Sequence, residues 1–253
     1  LTVRGDGAAR TVTHERLGEG FAGRRFDDDP EFLERIAAAA VVDDALWLLR
    51  TDGTLSRLRD GRLERLHRAG RPGDQHFVSD GRRGALLWKQ GGDAWLLMLP
   101  AEATSTRVRL GDTLPVWAGW CEAGLVAIWL DRWELRDTTG RGLRRVDFEV
   151  APRLAAVALH TPPVPDEGEP ATRGPRLVCG LTDGRVMAWA VVSGRRLWTT
   201  RPLAERAGDW QALTTHGELV LARGSRGVAV VDGDGRVDDV AAPLSALGAF
   251  VSG

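Results

Sequence analysis

Residues 45–66 read "ALWLLRTDGTLSRLRDGRLERL". An apolar run meets a Thr-Asp-Gly turn, then an alternating run, an Asp-Gly turn and a second alternating run. Alternation with a period of two predicts strands with one face buried. Asp-Gly and Ser-Gly between such runs predict tight hairpins, because glycine reaches positive φ without steric cost. The same phrasing returns over 176–200 as "RLVCGLTDGRVMAWAVVSGRRLWTT". Units of this kind start at Leu1, Ala45, Ala85, Leu125, Arg176 and Glu218, at separations of 44, 40, 40, 51 and 42 residues. A further strand of mostly small residues belongs to each unit: "IAAAAVV", "HFVSD", "VWAGWC", "RLAAVALH", "WQALTT" and, at the end, "LGAFVSG".

Four strands per repeat of this length resembles the WD-repeat and quinoprotein-like β-propellers. The resemblance implies an all-β fold, a single β-propeller with four-stranded blades. The small-residue strand then takes the innermost place, and we name the strands a to d from the axis outward. Six blades are expected. The ring is closed by strand a from 245–253 joining b, c and d from 1–26; seven or more blades is the competing count. Asp29, Pro30 and Glu31 form a helix-start signal, predicting a short helix over 29–36. The Pro/Gly/acid-rich stretch 161–175 predicts a long a–b loop. Trp189 stands where a WD repeat carries its Trp-Asp pair, but Ala190 replaces the Asp and no Gly-His dipeptide precedes the blades. "SGRRLWTT" is similar to the Thr-Gly-x-x-x-Trp pattern of quinoprotein repeats, at the level of a blade.

Composition narrows the function classes. Lys and Arg number 34 against 35 Asp and Glu, a net charge of -1, which gives no global case for nucleic acid or an anionic membrane. Lys89 is the one lysine, a bias that points to a GC-rich genome. Cys121 and Cys179 are too few for a disulfide framework and sit in apolar surroundings. No run approaches the ~18 apolar residues of a helical membrane span, and no signal peptide is legible; a cytoplasmic location is expected.

The candidate chemistry is sparse. Trp47, Trp88 and Trp129 recur in register on strand b, which predicts packing between blades. His160, His216 and Asp80, with Asp43 and Glu122 at matching places, are the candidate metal ligands at the bottom of the inner strands. Inner strands rich in Ala, Val, Gly and Trp offer no carboxylate pair for hydrolysis. Neither a Gly-x-Ser-x-Gly elbow nor a phosphate loop is present. No catalytic residue and no cofactor are expected.

Two functions follow. The first is a non-catalytic protein-interaction scaffold using the d–a and b–c loops. Its candidate surface is Arg68, Arg71, Asp74, Asp93, Asp131, Asp183, Arg201, Glu205, Arg206 and Arg226. This mixed-charge rim suits protein recognition better than nucleic acid. The chain also resembles compact propellers that accompany MoxR-type AAA+ ATPases and von Willebrand A-type proteins in bacterial multi-component systems, which implies a protein partner of one of those classes. The second function is a small-ligand, metal-binding, hydrolase or lyase propeller using the axial channel.

Overall fold

A computed structural model describes residues 2–5, 10–13, 36–60, 62–68, 75–99, 107–148, 153–160, 174–203, 210–216, 219–225 and 227–240. Every regular element among them is a strand. The chain folds as two units, Leu1–Leu114 and Pro115–Gly253.

In the first unit, β1 (Thr2–Gly5) and β2 (Arg10–Thr13) form an antiparallel hairpin. The first four-stranded sheet follows: β3 (Ile36–Val42), β4 (Ala45–Arg50), β5 (Thr54–Arg59) and β6 (Arg62–Arg68). The second comprises β7 (Gln75–Ser79), β8 (Gly84–Gln90), β9 (Asp93–Leu99) and β10 (Val108–Gly111). The hairpin chemistry explains the register. Asp43 and Asp44 both adopt positive φ, 49° and 57°, between the paired Val42 and Ala45. Gly91 and Gly92 do the same, 63° and 91°, between Gln90 and Asp93. Two consecutive positive-φ residues match the right-handed twist of the flanking strands.

The second unit holds three further sheets. The third is β11 (Trp117–Cys121), β12 (Gly124–Ile128), β13 (Arg132–Arg136) and β14 (Gly142–Asp147). The fourth is β15 (Leu154–His160), β16 (Arg176–Leu181), β17 (Val186–Ala190) and β18 (Arg196–Thr199). The fifth is β19 (Trp210–His216), β20 (Leu219–Gly224), β21 (Val228–Val231) and β22 (Val237–Val240).

All five sheets are antiparallel meanders in chain order. The small-residue strands come first in each and lie beside one another, β3 with β7, β11 with β15 and β15 with β19. Small side chains let these backbones converge. In β11, a Cβ on Gly119 would sit 2.8 Å from Cζ2 of Trp117 and 3.2 Å from Leu159 of β15.

Burial follows strand position. β16 is buried along its whole length, which explains its unbroken apolar run. Its Leu177, Cys179 and Leu181 pack towards the third sheet with Val126, Ile128 and Trp133. Its Val178 packs the other way, with Leu213, Ala222 and Val231 of the fifth sheet. The outer strand β14 is mostly exposed. A corresponding core in the first unit joins Trp47, Leu49 and Leu55 to Leu86, Trp88 and Leu97. Trp47, Trp88 and Trp129 are fully buried; Trp47 and Trp88 share the core of the first unit, whereas Trp129 follows β12 in the turn to β13.

Cys121 and Cys179 are thiols, not joined in a disulfide, in the core between the third and fourth sheets. Burial pushes the Cys179 thiol well above its ordinary value. Neither should react with a thiol-specific dye in the native protein, and both should react in denaturant; fast labelling of the folded chain would contradict this packing.

The helix expected over 29–36 lies outside the described residues, except that Ile36 is the first residue of β3. The closing strand over 245–253, residues 14–26 of the shared blade and residues 161–173 of the long loop also lie outside them.

Candidate functional site

In a meander, the b–c turns and d–a connections fall at one end of each sheet, and the a–b and c–d turns at the other. The described rim residues occupy the first end. Asp93 opens β9 and accepts from Arg109 Nη2 at 2.7 Å. Asp131 pairs with Arg132 at 3.1 Å. Asp183 accepts from Arg185 Nε at 2.7 Å, and that guanidinium holds its carboxyl below the ordinary carboxylate range. Arg201 is exposed after β18. Arg68 ends β6. Arg71, Asp74, Glu205, Arg206 and Arg226 lie outside the described residues.

An apolar feature that the sequence pattern does not announce lies at this end. Leu130 is 64% exposed and Val116 49% exposed. The Val116 N–H donates to Ile128 O at 2.7 Å, which brings Val116 alongside the Trp129–Leu130 turn. Beneath it the Arg132 guanidinium lies 4.4 Å from the Trp129 ring centroid. Arg132 also donates to Glu134 Oε1 at 2.9 Å, and Arg136 donates to Glu134 Oε2. These three alternate residues share one face of β13. Glu134 is almost wholly buried and held by two arginines, so it serves as a structural strut.

The candidate metal ligands are separated by roles of their own. Asp80 caps a turn. Its Oδ1 accepts from the N–H of Arg82 at 3.0 Å and of Arg83 at 2.7 Å, and its Oδ2 accepts from Arg83 Nη2 at 2.6 Å. Burial pushes the Asp80 carboxyl up, but these bonds outweigh it and hold it below the ordinary value. His160 is buried at the end of β15. Thr215 Oγ1 donates to Leu159 O at 3.3 Å, so the backbones of His160 and His216 end neighbouring a strands. Asp43 is exposed in the β3–β4 turn and Glu122 in the β11–β12 turn. No cluster of three or more His, Cys, Asp or Glu suited to a metal ion occurs among the described residues.

At the a–b and c–d ends of the fourth and fifth sheets lies a cleft of about 430 Å³, lined by Arg176, Ala190, Arg195, Leu197, Trp198 and Asp234 among others. Its wall is fixed by Gly233 O, which accepts from Arg176 Nη1 and from Trp198 Nε1, each at 3.0 Å.

The c–d turns of the third, fourth and fifth sheets share a backbone bond. The Asp137 N–H donates to Arg141 O at 3.0 Å, Ala190 to Arg195 O at 2.9 Å and Asp232 to Arg236 O at 2.9 Å. Asp137 Oδ1 then accepts from Thr139 Oγ1 at 2.6 Å and from the N–H of Thr139 and Arg141 at 2.8 and 3.0 Å. Asp232 Oδ1 accepts from the N–H of Asp234 and Arg236 at 2.9 and 2.8 Å. The Thr139 hydroxyl above all, over a smaller opposing effect of burial, keeps the Asp137 carboxyl below its ordinary value.

Asp80, Asp137 and Asp183 therefore share a lowered folded-state pKa. Their stabilisation is complete above the unfolded value of about 3.9 and is lost as pH falls through the folded values. The denaturant midpoint should hold down to about pH 5 and drop below about pH 4. Asp137→Asn should make that drop shallower; an identical pH profile in the variant would sink the assignment.

No protein-family model matches this sequence, and no curated protein sequence matches it. Solved structures resemble its fold. Sqt1 of Saccharomyces cerevisiae superposes with a TM-score of 0.55 at 14% identity, over 84% of this chain and 64% of that one. BBS1N, crystallised in complex with ARL6DN, gives 0.51 at 13% identity, over 76% and 63%. The computationally designed Ika8 gives 0.52 at 14% identity, over 77% and 57%. This chain thus spans less than two thirds of each of these. Sqt1 and BBS1N are β-propeller proteins, and the likeness establishes the propeller fold of the four-stranded sheets. Among the described residues no helix is long and apolar enough to cross a membrane.

Proposed function

We propose that this chain is a non-catalytic propeller that binds a protein partner through the b–c and d–a ends of its blades. The observation that carries the reading is the exposed pair Leu130 and Val116, set beside Asp131 and Arg132. Apolar side chains exposed within a charged rim are the composition of a protein interface. Asp131, Asp183 and Arg201 supply the polar margin in the second unit, with Glu205, Arg206 and Arg226 as further candidates there; Arg68, Arg71, Asp74 and Asp93 are the candidates of the first unit. In this reading six blades form one ring, completed by 1–26 with 245–253, and the protein works in the bacterial cytoplasm. BBS1N in its complex with ARL6DN illustrates a propeller holding a protein partner. The first partners to assay are an AAA+ ATPase and a von Willebrand A-domain protein.

Affinity purification at physiological salt tests the proposal. The wild-type chain should retain a stoichiometric protein, and Leu130→Glu should lose it without a change in melting temperature. A partner held equally by the variant would overturn the assignment of the surface.

A further inference from the structure

We draw no further inference here: the strongest candidate, the surface patch at the c–d ends of the third and fourth sheets where the exposed Arg144 meets the turn that carries the exposed Arg195 and Arg196, carries nothing, because nothing in the structure shows what covers it.

Discussion

Trp133→Ala should destabilise the protein by about 3–5 kcal/mol, the range for truncating a fully buried large aromatic. Trp133 is wholly buried on β13, in the core shared by the third and fourth sheets with Ile128, Leu177 and Cys179. Its removal leaves a cavity between two twisted sheets whose backbones are tied by their own ladders and cannot collapse around it. The indole also carries a cost: its Nε1 finds no hydrogen-bond acceptor among the described residues. An unsatisfied buried donor costs about 1–3 kcal/mol. Trp133→Phe removes that liability but also some volume; the two effects oppose, and the variant should fall within about 1.5 kcal/mol of wild type. Denaturant midpoints of the two variants decide the matter. A phenylalanine variant as unstable as the alanine one would mean that the indole N–H is satisfied.

Gly124→Ala should cost about 3 kcal/mol or more, because two penalties fall on one methyl group. Gly124 opens β12 with φ of 142°, a conformation that side chains disfavour. A Cβ there would also collide with the carbonyl oxygen of Arg136 on β13 and approach within 3.1 Å of its carbonyl carbon. Both obstacles are backbone, so neither can swing aside. Gly142, on outer strand β14, is the control. A Cβ there would meet nothing within 4 Å. Its replacement by alanine should shift stability by less than about 0.5 kcal/mol. Comparable losses at the two positions would contradict the close approach of β12 and β13.

The repeat was legible because hairpin chemistry is local. Asp43-Asp44, Gly91-Gly92 and Thr182-Asp183-Gly184 announce their turns, and small residues announce the strands that converge. What lay beyond reading was set by contacts across strands. "LVAIWLD" reads as one apolar run, yet β12 stops at Ile128 and the turn carries Leu130 into solvent. Glu134 looks like an ordinary surface acid on an alternating strand, but Arg132 and Arg136 enclose it. Ala190 was visible as a missing aspartate; that it borders a cleft depends on the fifth sheet's Gly233 holding Arg176 and Trp198 in place.

A propeller that holds a protein at the b–c and d–a ends of its blades, as proposed, shields those ends when the partner is bound. Hydrogen–deuterium exchange of the chain, alone and with its co-purified partner, tests that most directly. Slowed exchange is expected at 129–132, at 183–185 and at Arg201, with the inner a strands unchanged. Protection confined to the inner strands, or absent everywhere, would contradict it.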